Sequence, residues 1–203
     1  MAASFAVGVL LARGLGLQGF GYYSIALSVI TIAGLPSEFG LPYLATREVA
    51  AAAALEDYGK LFGVLRWANR FCLVIGTIVG LAVAAGGLIA YESNAVAVGE
   101  ALLLGAPIVP LIALAKLRGG ALQGLHRVAL GQAPAGIVRP VVLSVLLGLA
   151  LLAGVTLTAP IAMALGSASA AATLLIAEIW LTRRLPKHVA AEPVGGAKRW
   201  VAS

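Results

Sequence analysis

The sequence predicts an all-α integral membrane protein, a bundle of six transmembrane helices. Three observations lead there. Hydrophobic residues make up 61% of the chain and charged residues 11%, for a mean hydropathy of +1.02, which no ordinary soluble domain needs. The 203 residues have room for about six spans of ~20 residues and almost nothing else. Third, if the apolar stretches cross a bilayer in turn, twelve of the fourteen Lys and Arg fall on one side. These are Arg47, Lys60, Arg66, Arg70, Lys116, Arg118, Arg127, Arg183, Arg184, Lys187, Lys198 and Arg199, with only Arg13 and Arg139 elsewhere. Such one-sided basic charge marks the cytoplasmic face.

The expected spans cover 2–17, 21–49, 69–91, 95–115, 131–155 and 160–182, in a lobe spanning 1–185. The first apolar run, Ala2 to Ala12, makes only ~16 Å of helix, half of a ~30 Å core. A start lying upstream of Met1 explains this best. Gly14, Gly16, Gly19 and Gly21 are expected to loosen the chain into a short turn. The second run, from Tyr22, is too long for a straight span and carries Gly34, Pro36, Gly40 and Pro42, which break a helix. In a membrane such backbone is tolerated only where protein or a wet cavity satisfies it, and Glu38 lies inside this segment. Ala50 to Asp57 continues as an alanine-rich cytoplasmic helix.

Phe71 to Tyr91 is an uncharged third span, preceded by Lys60, Arg66 and Arg70 and anchored by Trp67 at the interface. Tyr91 to Asn94 turns the chain on the opposite side. The fourth span contains Pro107 and Pro110 and is stopped by Lys116 and Arg118, after which a glycine-rich loop runs to Gln132. The fifth span has Arg139 as its only charge, between Pro134 and Pro140. From Pro140 to Ala177 no charge appears for about 38 residues, too long for one crossing, so a hairpin turning at Thr156–Pro160 is required. The sixth span is full of small residues from Gly166 to Ala172, the composition of close helix packing, and ends at Arg183, Arg184 and Lys187. Residues 186–203 form a polar linker that turns apolar again at Trp200, as at the start of a further span.

The net charge of +6 and pI near 9.9 reflect topology and contacts to anionic membrane lipids, and no nucleic-acid partner is expected. Cys72 alone excludes an internal disulfide and reads as an inert buried thiol. His126 and His188 fall in loops, and the eight acids show no triad or ligand spacing, so no enzyme, metal or cofactor is expected. The Gly-x-Gly patterns near Gly14 and Gly19 follow no strand and are no nucleotide site.

Intramembrane charge is left, at ~2.5–3.5 kcal/mol per residue at mid-bilayer. Arg139 either snorkels to the surface or faces a cavity as a cation for an anionic substrate. Glu38 is either an interfacial cap or a cavity carboxylate. Arg47 marks a helix end, and Arg13 faces outer headgroups or an outward vestibule. Glu100 and Glu178 read as interfacial, the latter within reach of Arg183.

Four stretches resemble a known family. Ala12-Arg13-Gly14-Leu15-Gly16, continuing through Phe20-Gly21-Tyr22-Tyr23, is similar to the Ala-Arg-x-Leu-Gly-x-x-x-Phe-Gly-x-Tyr signature of oligosaccharide flippases. These form the polysaccharide-export branch of the superfamily that includes the multidrug and toxin extrusion (MATE) transporters. Glu38-Phe39-Gly40-Leu41-Pro42 with Thr46-Arg47-Glu48, Leu122-Gln123-Gly124-Leu125-His126-Arg127, and Val138-Arg139-Pro140 resemble further segments of that family, in order along the chain. The resemblance implies the N-terminal lobe of a MATE-like two-lobe transporter, seated in a bacterial-type cytoplasmic (inner) membrane. It implies translocation of undecaprenyl-pyrophosphate-linked oligosaccharide, coupled to H+ or Na+. Arg139, Arg13, Arg47 and Glu38 are then the candidate substrate-binding residues, and Gly34, Pro36, Pro42, Pro107 and Pro110 the candidate hinges. The competing readings are a multidrug or lipid II exporter, which should favour buried acids, and a membrane-embedded polysaccharide polymerase or ligase, which should carry a large outer loop.

Overall fold

The computed structural model describes residues 2–55 and 57–184; Lys187, His188, Lys198, Arg199 and the expected linker 186–203 lie outside them. The described residues form helices and no strand. In chain order these are α1 (Ala2–Glu38), α2 (Leu41–Ala54), α3 (Tyr58–Glu92), α4 (Val96–Gly105), α5 (Ile108–Gly124), α6 (Val128–Ala133), a π-helical turn (Pro134–Val138), α7 (Arg139–Leu152) and α8 (Ala159–Thr182). They make five stretches long and apolar enough to cross a membrane: Phe5–Ala54, Gly59–Glu92, Val96–Gly124, Val128–Leu152 and Ala159–Thr182.

At 50 residues the first stretch would be ~75 Å as straight helix, and the backbone interrupts it twice. Gly16 adopts φ 67° and ψ −178°, a region essentially reserved for glycine. The expected four-glycine turn is thus confined to one residue; Gly14, Gly19 and Gly21 stay helical because a glycine lowers helix propensity without forbidding it. The second interruption is Phe39 (φ 34°) and Gly40 (φ 71°), inside the expected Gly34–Pro42 segment. Pro36 remains within α1, while Pro42 sits in the first turn of α2, where a missing N–H costs little.

The α3 helix, 35 residues or ~52 Å, outruns a ~30 Å hydrocarbon core, so its amino-terminal turns with Lys60, Arg66 and Arg70 project from it. Asp57 caps it by accepting the Lys60 N–H at 3.0 Å, and Trp67 stacks on Phe71 with ring centres 5.7 Å apart. The turn into α4 is tight because Gly99 lies against the Gly87 carbonyl, leaving no room for a side chain.

The largest departure from expectation follows. Lys116 and Arg118 do not end the fourth span: α5 continues to Gly124, and only Leu125–Arg127 separate it from α6. The expected loop is helical because its glycines serve contact rather than flexibility. A Cβ on Gly120 would strike the backbone of Pro42, one on Gly124 would come within 2.7 Å of the Thr46 carbonyl, and Gly119 abuts the Gly131 carbonyl. Thr46 Oγ1 bridges the α2–α5 crossing, 2.9 Å from the Pro42 carbonyl and 3.0 Å from that of Gly120. Gly120→Ala should therefore cost about 1–3 kcal/mol of stability, read as a lowered thermal midpoint in detergent. Gly148→Ala, with open space at its Cβ, should show no loss.

Buried side chains form three groups along the bundle. One joins Leu11, Tyr23, Val83, Leu102, Leu147 and Leu157. A second surrounds Leu41, Cys72 and Leu117, and a third holds Val49, Leu61, Leu122 and Leu181. The turns at Ser93–Ala95 and Ala153–Thr158 thus belong to one end, and the α2–α3 and α5–α6 connections with Arg183 and Arg184 to the other. Between them the exterior is apolar: on α3 alone Leu73, Val74, Ile78, Leu81, Leu88 and Ile89 face outward. Water would not tolerate such a face, whereas lipid suits it. This is the architecture of a multi-pass helical membrane protein.

Candidate functional site

The break after Glu38, the glycine-mediated crossing of α2 and α5, and the π turn before Arg139 together leave a half-open cleft of about 520 Å³ in the side of the bundle. Its chemistry comes from Glu38, Tyr43, Thr46, Lys116, Gln123 and Arg139. A smaller pocket of about 130 Å³ continues it toward Ile30, Thr31 and Gly34, and Glu38, Lys116 and Arg139 line both.

Each charged residue is placed by its local backbone. Glu38 is the last residue of α1, aimed by the Phe39–Gly40 break. Lys116 shares a face of α5 with Ile112, Gly120 and Gln123, at helical spacings of four, four and three residues. Its Nζ donates to Glu38 Oε1 at 2.6 Å. Arg139 opens α7, and its N–H donates to the Pro134 carbonyl, five residues back, as a π turn requires. The Arg139 Nε is buried without a hydrogen-bond partner, and among the described residues no carboxylate pairs with this guanidinium. Two cations against one carboxylate leave the lining with one net positive charge. Tyr43, Gln123 and Gln132 add a hydroxyl and two amides. Such a lining attracts an anion and hydrogen-bonds a polar group attached to it.

Of the four sequence candidates for binding, the structure brings Arg139 and Glu38 together. Arg13 is exposed and outside both linings. Arg47 is 82% exposed and pairs with its neighbour Glu48 at 3.3 Å, so it too stands away from the cleft. Among the hinge candidates, Gly34 and Pro42 border the cavities, Pro36 is inside α1, and Pro107 and Pro110 make the α4–α5 joint, with Pro110 packed on Gly76 of α3.

Lys116 was not expected at the site. Read as a helix stop, it instead sits eight residues, ~12 Å, inside the end of α5. The signal that finds it is the polar face Lys116–Gly120–Gln123, visible once the glycines are read as contact points. Glu178, expected near Arg183, instead pairs with Arg118 across the α5–α8 contact. Cys72 is buried as expected, its Sγ 3.7 Å from the Ser37 carbonyl.

Comparison of the chain with protein-family models, with curated proteins and with solved structures found no match. Fold and cleft therefore define a class, a helical membrane protein with a charged, half-open cleft, and the function rests on the chemistry of that cleft.

Proposed function

We propose that this chain is the N-terminal lobe of a flippase for lipid-linked oligosaccharides, carrying an undecaprenyl-pyrophosphate glycan across the cytoplasmic membrane. The observation that carries the reading is Arg139, a guanidinium with a buried, unpartnered Nε on the charged cleft. A pyrophosphate with its sugars must cross ~30 Å of hydrocarbon, and its charge needs fixed cations inside the protein. The hydroxyl and amides of the lining suit the sugars. A drug-cation exporter needs an uncompensated acid in the cavity, and here the lining carboxylate, Glu38, is taken by Lys116. The turns among described residues are short, which gives a polymerase or ligase no outer catalytic domain in this part of the chain. Coupling to H+ or Na+ belongs to the proposal through the family resemblance alone.

Binding to the purified chain in nanodiscs tests the reading. An undecaprenyl-pyrophosphoryl sugar should bind in preference to phosphatidylglycerol and to undecaprenol, as read by native mass spectrometry. Equal retention of all three lipids would defeat it. The proposed topology has its own check. In a Cys72→Ala background, cysteines at Ser93 and Thr156 should react with an impermeant maleimide from outside intact cells, and one at Arg127 only after permeabilisation. Labelling of Ser93 from the cytoplasmic side alone would invert the assignment.

A further inference from the structure

We infer that Lys116 is a second anion-binding residue of the cleft and that Glu38 is its resident competitor, a carboxylate that occupies the cation until a diphosphate displaces it. The inference rests on the proposed anion-binding role of the cleft and adds to it the residue that completes the site and the contact that regulates it.

Lys116 and Arg139 line the same 130 Å³ pocket and the same larger cleft, so both cations border the space a ligand there would occupy. Their states differ. Arg139 presents a buried Nε without a partner, whereas Lys116 Nζ is held by Glu38 Oε1 at 2.6 Å. A single phosphate could satisfy Arg139 alone. A diphosphate carries a second anionic group that must either find its own cation or remain uncompensated beside Glu38. Lys116 is that cation, and reaching it means breaking its pair with Glu38.

The exchange is affordable because the pair is only partly buried, at 42% exposure for the lysine and 26% for the carboxylate. Such pairs contribute about 1 kcal/mol or less, while hydrogen bonds to charged groups contribute about 1.5–3 kcal/mol. Glu38 is the last residue of α1, directly before the Phe39–Gly40 break, so no further helical turn packs it in place. The other polar and titratable groups around it are Tyr43 from α2, Cys72 from α3 beside Ser37, and Arg139 from α7; Thr173 of α8 lines the larger cleft. Return of Glu38 to Lys116 then helps to expel the ligand.

The test measures dissociation constants of farnesyl pyrophosphate and of inorganic pyrophosphate for the chain in nanodiscs, at fixed ionic strength. Lys116→Gln should weaken both about tenfold or more, and Lys116→Arg should retain most of the affinity. Glu38→Gln should tighten binding about fivefold, and this gain should vanish in the Lys116→Gln background. Should Lys116→Gln alone fail to fold, the Glu38→Gln/Lys116→Gln double variant against Glu38→Gln supplies the same comparison, with the same tenfold loss expected. An equal gain from Glu38→Gln in both backgrounds would mean general charge repulsion and overturn the competitor role. Loss of binding in Arg139→Ala with none in Lys116→Gln would overturn this inference and leave the anion cleft standing; no effect of either would defeat both. Equal behaviour of the two probes would assign recognition to the diphosphate itself, and tighter farnesyl pyrophosphate binding to the diphosphate with its lipid chain; both accord with the inference.

Discussion

Arg139→Ala should weaken binding of a pyrophosphate lipid by about one to two orders of magnitude. Charge-assisted hydrogen bonds contribute about 1.5–3 kcal/mol each, and about 1.4 kcal/mol is a factor of ten in affinity. Among the described residues that line the cleft, alanine removes the only guanidinium. Arg139→Lys should recover part of the loss, because a point charge attracts phosphate but lacks the planar fork that holds two oxygens at once. Stability should move the other way. The arginine's Nε is buried without a hydrogen-bond partner, so alanine relieves a desolvated donor and should leave the thermal midpoint unchanged or raised. Loss of binding together with retained or increased stability is the signature of a residue held for a ligand. Unchanged affinity in Arg139→Ala, measured for the same lipid in the same nanodiscs, would reduce the residue to a snorkelling side chain.

Gly40→Val should be the most damaging single change at the helix break. Gly40 sits at φ 71°, where a side chain costs about 1–2 kcal/mol and a β-branched one more. Space is not the obstacle, since nothing lies within 4 Å of a Cβ there. The penalty is conformational, so the chain either carries the strain or shifts the break. A shifted break moves Glu38 on one side and Pro42 on the other, and both line the cleft. The expected result is a lowered thermal midpoint together with altered pyrophosphate affinity, whereas Gly40→Asn, which tolerates the left-handed region better, should be milder. A Gly40→Val protein matching the parent in both measurements would make the break a passive kink. Pro36→Ala with Pro42→Ala provides the milder comparison, since Pro36 is accommodated inside α1 and Pro42 in the first turn of α2.

The sequence made the membrane character and most helix locations legible, because apolar length and one-sided charge act at long range along the chain. It marked Pro36, Gly40 and Pro42 as an interruption, and Arg139 with Glu38 as charges needing a reason. What it obscured has one physical root: glycine reads alike whether it loosens a turn or clears a contact. Gly119, Gly120 and Gly124 looked like a loop, and their partners are backbone atoms of Pro42, Thr46 and Gly131, remote in sequence for the first two. That misreading hid the length of α5, and with it Lys116. Arg47 and Arg13 show the converse. A charge near a motif acquires a role only when the fold turns it inward, and these two are turned out.

The π turn at Pro134–Val138 has a consequence in the arithmetic of the helix. It holds one residue more than an α-helix would use there, and each residue of an α-helix advances the face by about 100°. The extra residue therefore helps to set the direction in which Arg139 leaves the helix. Loss of a single residue anywhere from Pro134 to Val138 would turn the helix on one side of the deletion by about 100° relative to the other, swinging Arg139 away from its present direction while leaving its side chain chemically intact. The location of the charge is thus written in the spacing of the chain as much as in the identity of the residue that bears it.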